Sequence, residues 1–150
     1  MNAALVPPAF PLPRAARIAV LASGRGSNLQ SLLDAFPPDG TLARVALVLV
    51  NVPGAAAADR ARAAAVPVRT IPWTRSGGDR DGFEAAAQQA LDEAGVDLIC
   101  LAGFMRILSP SFTERWEGRM LNVHPSLLPA HRGLHPQRRA LEAGDAESGC

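Results

Sequence analysis

Arg17-Ile18-Ala19-Val20-Leu21-Ala22-Ser23-Gly24-Arg25-Gly26-Ser27-Asn28 is the stretch on which the fold class turns. Arg17 to Ala22 is almost wholly apolar, as expected of a strand covered on both faces. Leu29, Leu32 and Leu33 then recur at helical spacing. Strand, Gly-rich turn and helix together present free backbone N–H groups and a positive helix end to an anion, with a phosphate as the obvious guest. The plain alternative is a tight strand-to-helix connection with no ligand. A dinucleotide reading fails, because Leu29 replaces the third Gly of G-x-G-x-x-G and no acidic residue ends the next apolar run, Val45 to Asn51. The P-loop pattern fails for want of its Lys.

Outward from this unit the same alternation repeats. Pro53-Gly54 is a turn and Ala55 to Ala65 an Ala-rich helix with Asp59, Arg60 and Arg62 on a solvated face. Val66 to Ile71 gives a third strand, and Trp73 to Gly78 a loop. Asp79 can cap a helix whose apolar face is Phe83, Ala86, Ala87, Ala90, Leu91 and Ala94, with Gly95 as its left-handed stop. Asp97 to Ala102 is a fourth strand, left by Gly103-Phe104-Met105-Arg106-Ile107-Leu108. By residue type alone, Met105, Ile107 and Leu108 read as core. Ser109-Pro110 is an N-cap followed by proline at the first helical position, opening a short helix through Trp116. Pro136 to Ala143 looks helical and is stopped by Gly144. Alternating strands and helices predict an α/β fold: an open, mostly parallel, Rossmann-like sheet with helices on both faces.

Between the last two helices stands Met120-Leu121-Asn122-Val123-His124-Pro125-Ser126-Leu127-Leu128-Pro129-Ala130-His131-Arg132-Gly133. Read as a strand, it sends Asn122 and His124 to one face, and Pro125 ends it. An amide beside an imidazole at the carboxyl end of a buried strand suits a developing oxyanion. A lone His in such a place is usually a satisfied or solvated one; the neighbouring Asn weighs against that.

Composition narrows the classes. With 150 residues the chain has one domain's worth of length, enough to bury roughly 70% of its unfolded surface. The net charge of +1 speaks against nucleic acid. All 15 Lys+Arg residues are Arg, which reads as a compositional bias. Two cysteines, Cys100 in an apolar run and Cys150 at the last position, make no disulfide framework, so a reducing cytoplasm is expected. No apolar run reaches the ~20 residues that span a bilayer, so no membrane partner is expected. Pro7, Pro8, Pro11 and Pro13 interrupt any signal-peptide core, and residues 1–16 are expected to be a flexible Pro-rich extension or an over-extended start, leaving 17–150 as the domain. His124, His131 and His135 lack a Cys or acidic partner at ligand spacing, and no metal is implied.

The string from Asn122 to Pro129 resembles the signature of folate-dependent formyltransferases, most closely the branch that acts on glycinamide ribonucleotide in purine biosynthesis. The tRNA-formylating relatives tend to carry Gly where this chain has Pro125, and the hydrolases a second His. The resemblance implies formyl transfer from the co-substrate 10-formyltetrahydrofolate to the amine of glycinamide ribonucleotide. It implies Gly26, Ser27 and Asn28 as the substrate-phosphate positions, and Arg80, Met105, Arg106, Ile107, Leu108 and Asn122 as folate-binding. Asn122 and His124 are implied as the catalytic pair, with no metal. A homodimer is the assembly expected. A phosphate- or nucleotide-binding module without turnover, or another 10-formyltetrahydrofolate enzyme (a deformylase or a methionyl-tRNA formyltransferase), is the alternative.

The likeness covers Arg17 to Cys150. Family members continue into a strand with a second histidine and then an aspartate that pairs with the catalytic one; Asp145 and Glu147 do not match that aspartate. The sequence is therefore expected to be an amino-terminal fragment, a truncated product or one part of a split chain, close to inactive alone.

Overall fold

The computed structural model describes residues 12–73 and 79–150. The expected loop at Trp73 to Gly78 falls, apart from Trp73, outside them, as do residues 1–11 of the Pro-rich extension.

Five strands form one wholly parallel sheet in the order β3-β2-β1-β4-β5, with β1 Ala16–Ala22, β2 Ala43–Val50, β3 Val68–Thr70, β4 Leu98–Leu101 and β5 Met120–Asn122. Between them run α1 Ser27–Ala35, α2 Ala56–Ala63, α3 Arg80–Glu93 and α4 Pro110–Arg115, and α5 Pro136–Ala143 follows β5. The predicted α/β class holds. β1, in the middle of the sheet and apolar throughout its buried part, packs in both directions. Ile18, Val20 and Ala22 meet Leu29 and Leu33 of α1 and Ala57, Ala58 and Ala61 of α2. Ala19 and Leu21 meet Phe83, Ala87 and Leu91 of α3 and Phe112 of α4. In β2 the register slips: Ile18 pairs with Val45 and Ala19 with Leu47, so Ala46 has no partner. That extra residue is a bulge, and it puts Val45 and Val48, three apart, on one face.

Several expectations need correcting. The buried face of α3 is rotated from the predicted one, with Ala86 exposed and Glu84 and Gln88 buried. Each buried polar group has a fixed partner, which is what makes its burial tolerable. Glu84 accepts from the Ser109 N–H (2.6 Å) and Oγ (2.5 Å), and Gln88 Oε1 accepts from Trp116 Nε1 at 2.9 Å. Asp79, Gly95 and Ser109 play their predicted capping parts: Asp79 accepts from the Gly82 N–H, Gly95 has φ +57°, and Ser109 accepts from the Phe112 N–H.

Nor does the end of the predicted extension hang free. Ala16 opens β1, and the Arg14 guanidinium forks onto Asp97 at 2.6 and 2.9 Å. Asp97, 5% exposed, also accepts from the Arg17 N–H at 2.8 Å. Burial alone would raise the Asp97 pKa; the hydrogen bonds from Arg14 and from Arg17, with the charges of both, outweigh it and hold the carboxyl below its ordinary value. A depressed carboxyl stabilises the fold above its unfolded pKa of about 3.9, and that contribution is lost as the pH falls through the lower folded value. Because Arg14 is half-exposed, Asp97→Asn is expected to lower stability at pH 7 by only about 1–2 kcal/mol. Urea unfolding checks it: the gap between the two proteins should close as the pH falls from about 4 toward acid denaturation, and an unchanged gap would assign the loss to packing.

Candidate active site

Chain order and strand order together locate a crevice. The chain steps outward from β1 to β2 and β3, then returns to the other side of β1 for β4 and β5. The loops leaving β1 and β4 therefore part company at the carboxyl edge, the place where open parallel sheets bind ligands. A cavity of 340 Å³ lies there, lined by residues 23–28 and by Ala102, Gly103 and Met105. A neighbouring cavity of 500 Å³ shares Ser23 and Met105 and adds Asn51, Val52, Pro53, Trp73 and Arg106. A larger one, 680 Å³, opens by Ala16 and Ala43, where β1 and β2 begin. Among the described residues that line it, Arg14 is the one ionisable side chain, and it is already committed to Asp97.

The Gly-rich loop forms the wall of the first cavity. Gly26 is the N-cap of α1 with φ +74°, a left-handed conformation that glycine adopts without strain. A Cβ there would stand 2.8 Å from the Ala57 Cα, so glycine also allows α1 and α2 to approach. Two loop carbonyls are turned away from the cavity: Gly24 O accepts from the Ala57 N–H at 3.0 Å and Arg25 O from Arg60 Nε at 2.8 Å. With the carbonyls tied back, exposed Ser27 and Asn28 begin a helix with no side-chain cap. Unmatched N–H groups at a positive helix end are what an anion binds. The Arg25 side chain is exposed, and only its carbonyl takes part in this scaffold.

Opposite stands the loop after β4. Met105 and Ile107 are 72% and 86% exposed, whereas Leu108 packs against the core. The core reading by residue type is thus corrected for Met105 and Ile107. Of this loop, Phe104 is the aromatic residue that joins the core, packing with Trp73 and Phe83 at ring-centroid distances of 5.7 to 6.4 Å. Arg106 lies over Trp73, 5.6 Å from its ring centroid, and Nη2 donates to Trp73 O at 3.3 Å. Arg80, at the first turn of α3, has Asp81 as its neighbour at 3.8 Å. No hydrogen bond or ion pair among the described residues joins it to the loop.

Asn122 and His124 do not share a strand face. β5 ends at Asn122, opposite Leu101, where β4 also ends. The ladder runs out, and Val123 has no residue to pair with. Nor is the strand buried: β5 is the sheet's edge, with Leu121 61% exposed. His124 is half-buried in the following turn, closed by the Ser126 N–H donating to His124 O at 2.9 Å. Its Nε2 lies 3.3 Å from His131 O. His131 has an acidic partner after all, Asp145, with Nε2 to Oδ2 at 2.6 Å; the sequence separation of 14 hid it.

The sequence reading missed Ser23 and Asn51. Ser23 Oγ donates to Asn51 Oδ1 at 2.6 Å and accepts from the Met105 N–H at 2.8 Å, and the Ser23 N–H donates to Gly103 O. Each is the first residue past the carboxyl end of its strand, β1 or β2, and that position was the available signal.

Residues 16–150 match the formyl transferase family. The chain belongs to that family. The chain is 50% identical over 139 residues to the trifunctional purine biosynthetic protein adenosine-3 of Drosophila melanogaster, covering 91% of this chain and 10% of that protein. It is 42% identical over 132 residues to the phosphoribosylglycinamide formyltransferase of Escherichia coli, covering 88% of this chain and 62% of that one. The solved phosphoribosylglycinamide formyltransferase of Coxiella burnetii superposes with a TM-score of 0.82 at 40% identity, over 90% of this chain and 63% of its own. The chain thus spans less than two thirds of the length of these relatives. No helix among the described residues is long and apolar enough to cross a membrane.

The backbone character of the anion site yields a prediction. Gly26→Val meets both the left-handed φ and the Ala57 contact, so it is expected to cost stability by about 1–3 kcal/mol and to weaken a phosphate-bearing ligand at least about tenfold. Arg25→Ala should leave affinity within about twofold. Titration calorimetry of both variants checks it; equal losses would make side-chain charge, not the backbone, the binding element.

Proposed function

We propose that this chain carries the formyl-transfer site for glycinamide ribonucleotide, with 10-formyltetrahydrofolate as the donor. The observation that carries the reading is the pairing, across one crevice, of an anion-receptive helix end with an exposed apolar wall. Gly26, Ser27 and Asn28 would take the substrate phosphate. Met105, Ile107 and Leu108, with the backbone at Arg106, would take the flat donor heterocycle, which needs apolar room and hydrogen bonds along its edge. Arg80 would stand further out toward the donor's acidic tail. The relatives named as phosphoribosylglycinamide formyltransferases support the choice of substrate.

The chemistry follows from charge development. The ribonucleotide amine attacks the formyl carbon, and its electron pair forms the new C–N bond while the carbonyl electrons move onto oxygen. The Asn122 amide and protonated His124 stabilise that oxygen. As the intermediate collapses, the bond to the folate nitrogen breaks and His124 supplies that nitrogen with its proton; the attacking amine gives up one in exchange. We assign residues 17–150 to this domain, and a reducing cytoplasm as its setting, with the two half-exposed or exposed thiols, Cys100 and Cys150, left unpaired. A homodimer remains part of the proposal, tested by sedimentation.

His124→Ala is expected to reduce kcat far more than it raises KM, because its contribution arises in the transition state. Asn122→Ala should cost about 10²–10³ in rate, the worth of one oxyanion donor. Steady-state formyl transfer with both substrates measures this. In a version of the chain extended to the length of its relatives, an intact rate in either variant removes that residue from the mechanism, and tight binding without transfer would favour a binding module.

A further inference from the structure

We propose that Asp145 and His131 form a latch that positions His124, fixing its neutral tautomer as Nε2–H and leaving Nδ1 as the nitrogen that exchanges the proton in the reaction. The inference rests on His124 being the proton-handling group. His131 holds φ +50°, a left-handed conformation that is uncommon for a residue with a Cβ. That conformation turns the His131 carbonyl onto His124 Nε2, 3.3 Å away. A carbonyl oxygen only accepts, so the nitrogen facing it must carry a hydrogen. The lone pair of neutral His124 is then on Nδ1.

The turn is held from several sides. The His131 imidazole, largely buried, meets Asp145 Oδ2 at 2.6 Å. Asp145 is itself anchored: it follows Gly144, the left-handed cap of α5, and its N–H donates to Ala140 O at 3.0 Å. Closer to His124, Ser126 Oγ donates to Ala130 O at 2.7 Å, and the Arg139 guanidinium donates to Arg132 O. Residues 126–132 are therefore tied at both flanks, and Asp145 supplies the tie at the residue that touches His124. Asp145 acts through His131 and touches no reacting atom, which makes it a positioning residue. An orienting partner one step removed from the proton-handling imidazole is the usual means of selecting its tautomer.

Long-range proton–nitrogen NMR of the 15N-labelled protein tests the latch directly, with the His124 signals assigned by their loss in His124→Gln. The parent protein is expected to show His124 as the Nε2–H tautomer. Asp145→Ala should shift it toward a mixture of tautomers, and in formyl transfer it should lower kcat about tenfold or more with KM held within about twofold. Asp145→Glu should restore part of both. His131→Phe breaks the same bond from its other end and should reproduce the shift. An unchanged His124 tautomer in both Asp145→Ala and His131→Phe, or an Nδ1–H tautomer in the parent protein, overturns the latch. If a version of the chain extended to the length of its relatives transfers no formyl group, the proposed function fails, while the imidazole spectra still decide the latch.

Discussion

One hydroxyl joins three strands at the edge where the sheet opens its crevice. Ser23, the residue after β1, reaches Asn51 after β2 through its Oγ and receives the Met105 N–H from the loop after β4. Parallel strands bring their carboxyl ends to one edge, but that alone leaves the loops free to splay. A buried amide and a hydroxyl, each satisfied by the other, set the spacing between the Gly-rich loop and the Met105 loop. Both cavities at that edge include Ser23 in their walls.

The site combines rigid and exposed parts, and the division has a physical logic. The wall made by the Gly-rich loop is backbone, tied down by Gly24 O and Arg25 O and by the Gly26–Ala57 approach, so it is formed before any ligand arrives. A preformed cradle has little ordering cost on binding. The loop after β4 offers Met105 and Ile107 to water, while Phe104 of the same loop packs with Trp73 and Phe83. Exposed apolar side chains at the mouth of a crevice are a surface waiting for an apolar face. The buried Glu84–Ser109 pair serves a different end. It fixes α3 to the start of α4, the helix that leads into β5 and Asn122.

Much of this was legible in the residues themselves. The apolar run of β1, the glycine turn and the leucines of α1 specified strand, tight turn and helix, because burial on both faces and helical spacing leave few other readings. Asp79, Gly95 and Ser109 declared their caps by local chemistry alone. Side chains that depend on a distant partner were less legible. Glu84 and Gln88 had no place on the predicted apolar face, and they are buried because Ser109 and Trp116, 25 and 28 residues away, satisfy them. Arg14 read as part of a loose extension until Asp97 met it from 83 residues away.

The sequence by itself determined the alternating fold and singled out part of the crevice lining, Gly26 to Asn28 and Met105, since periodicity, capping and residue type are local properties. Only the tertiary structure decided how those groups stand to one another. β5 stops at Asn122 because β4 offers no partner beyond Leu101, and so His124 belongs to a turn rather than to a strand face. That turn is held by His131 and Asp145, residues that no local pattern connects. Strand length in a parallel sheet is set by the neighbour's length, and a hydrogen bond between side chains 14 positions apart is set by the path of the chain between them.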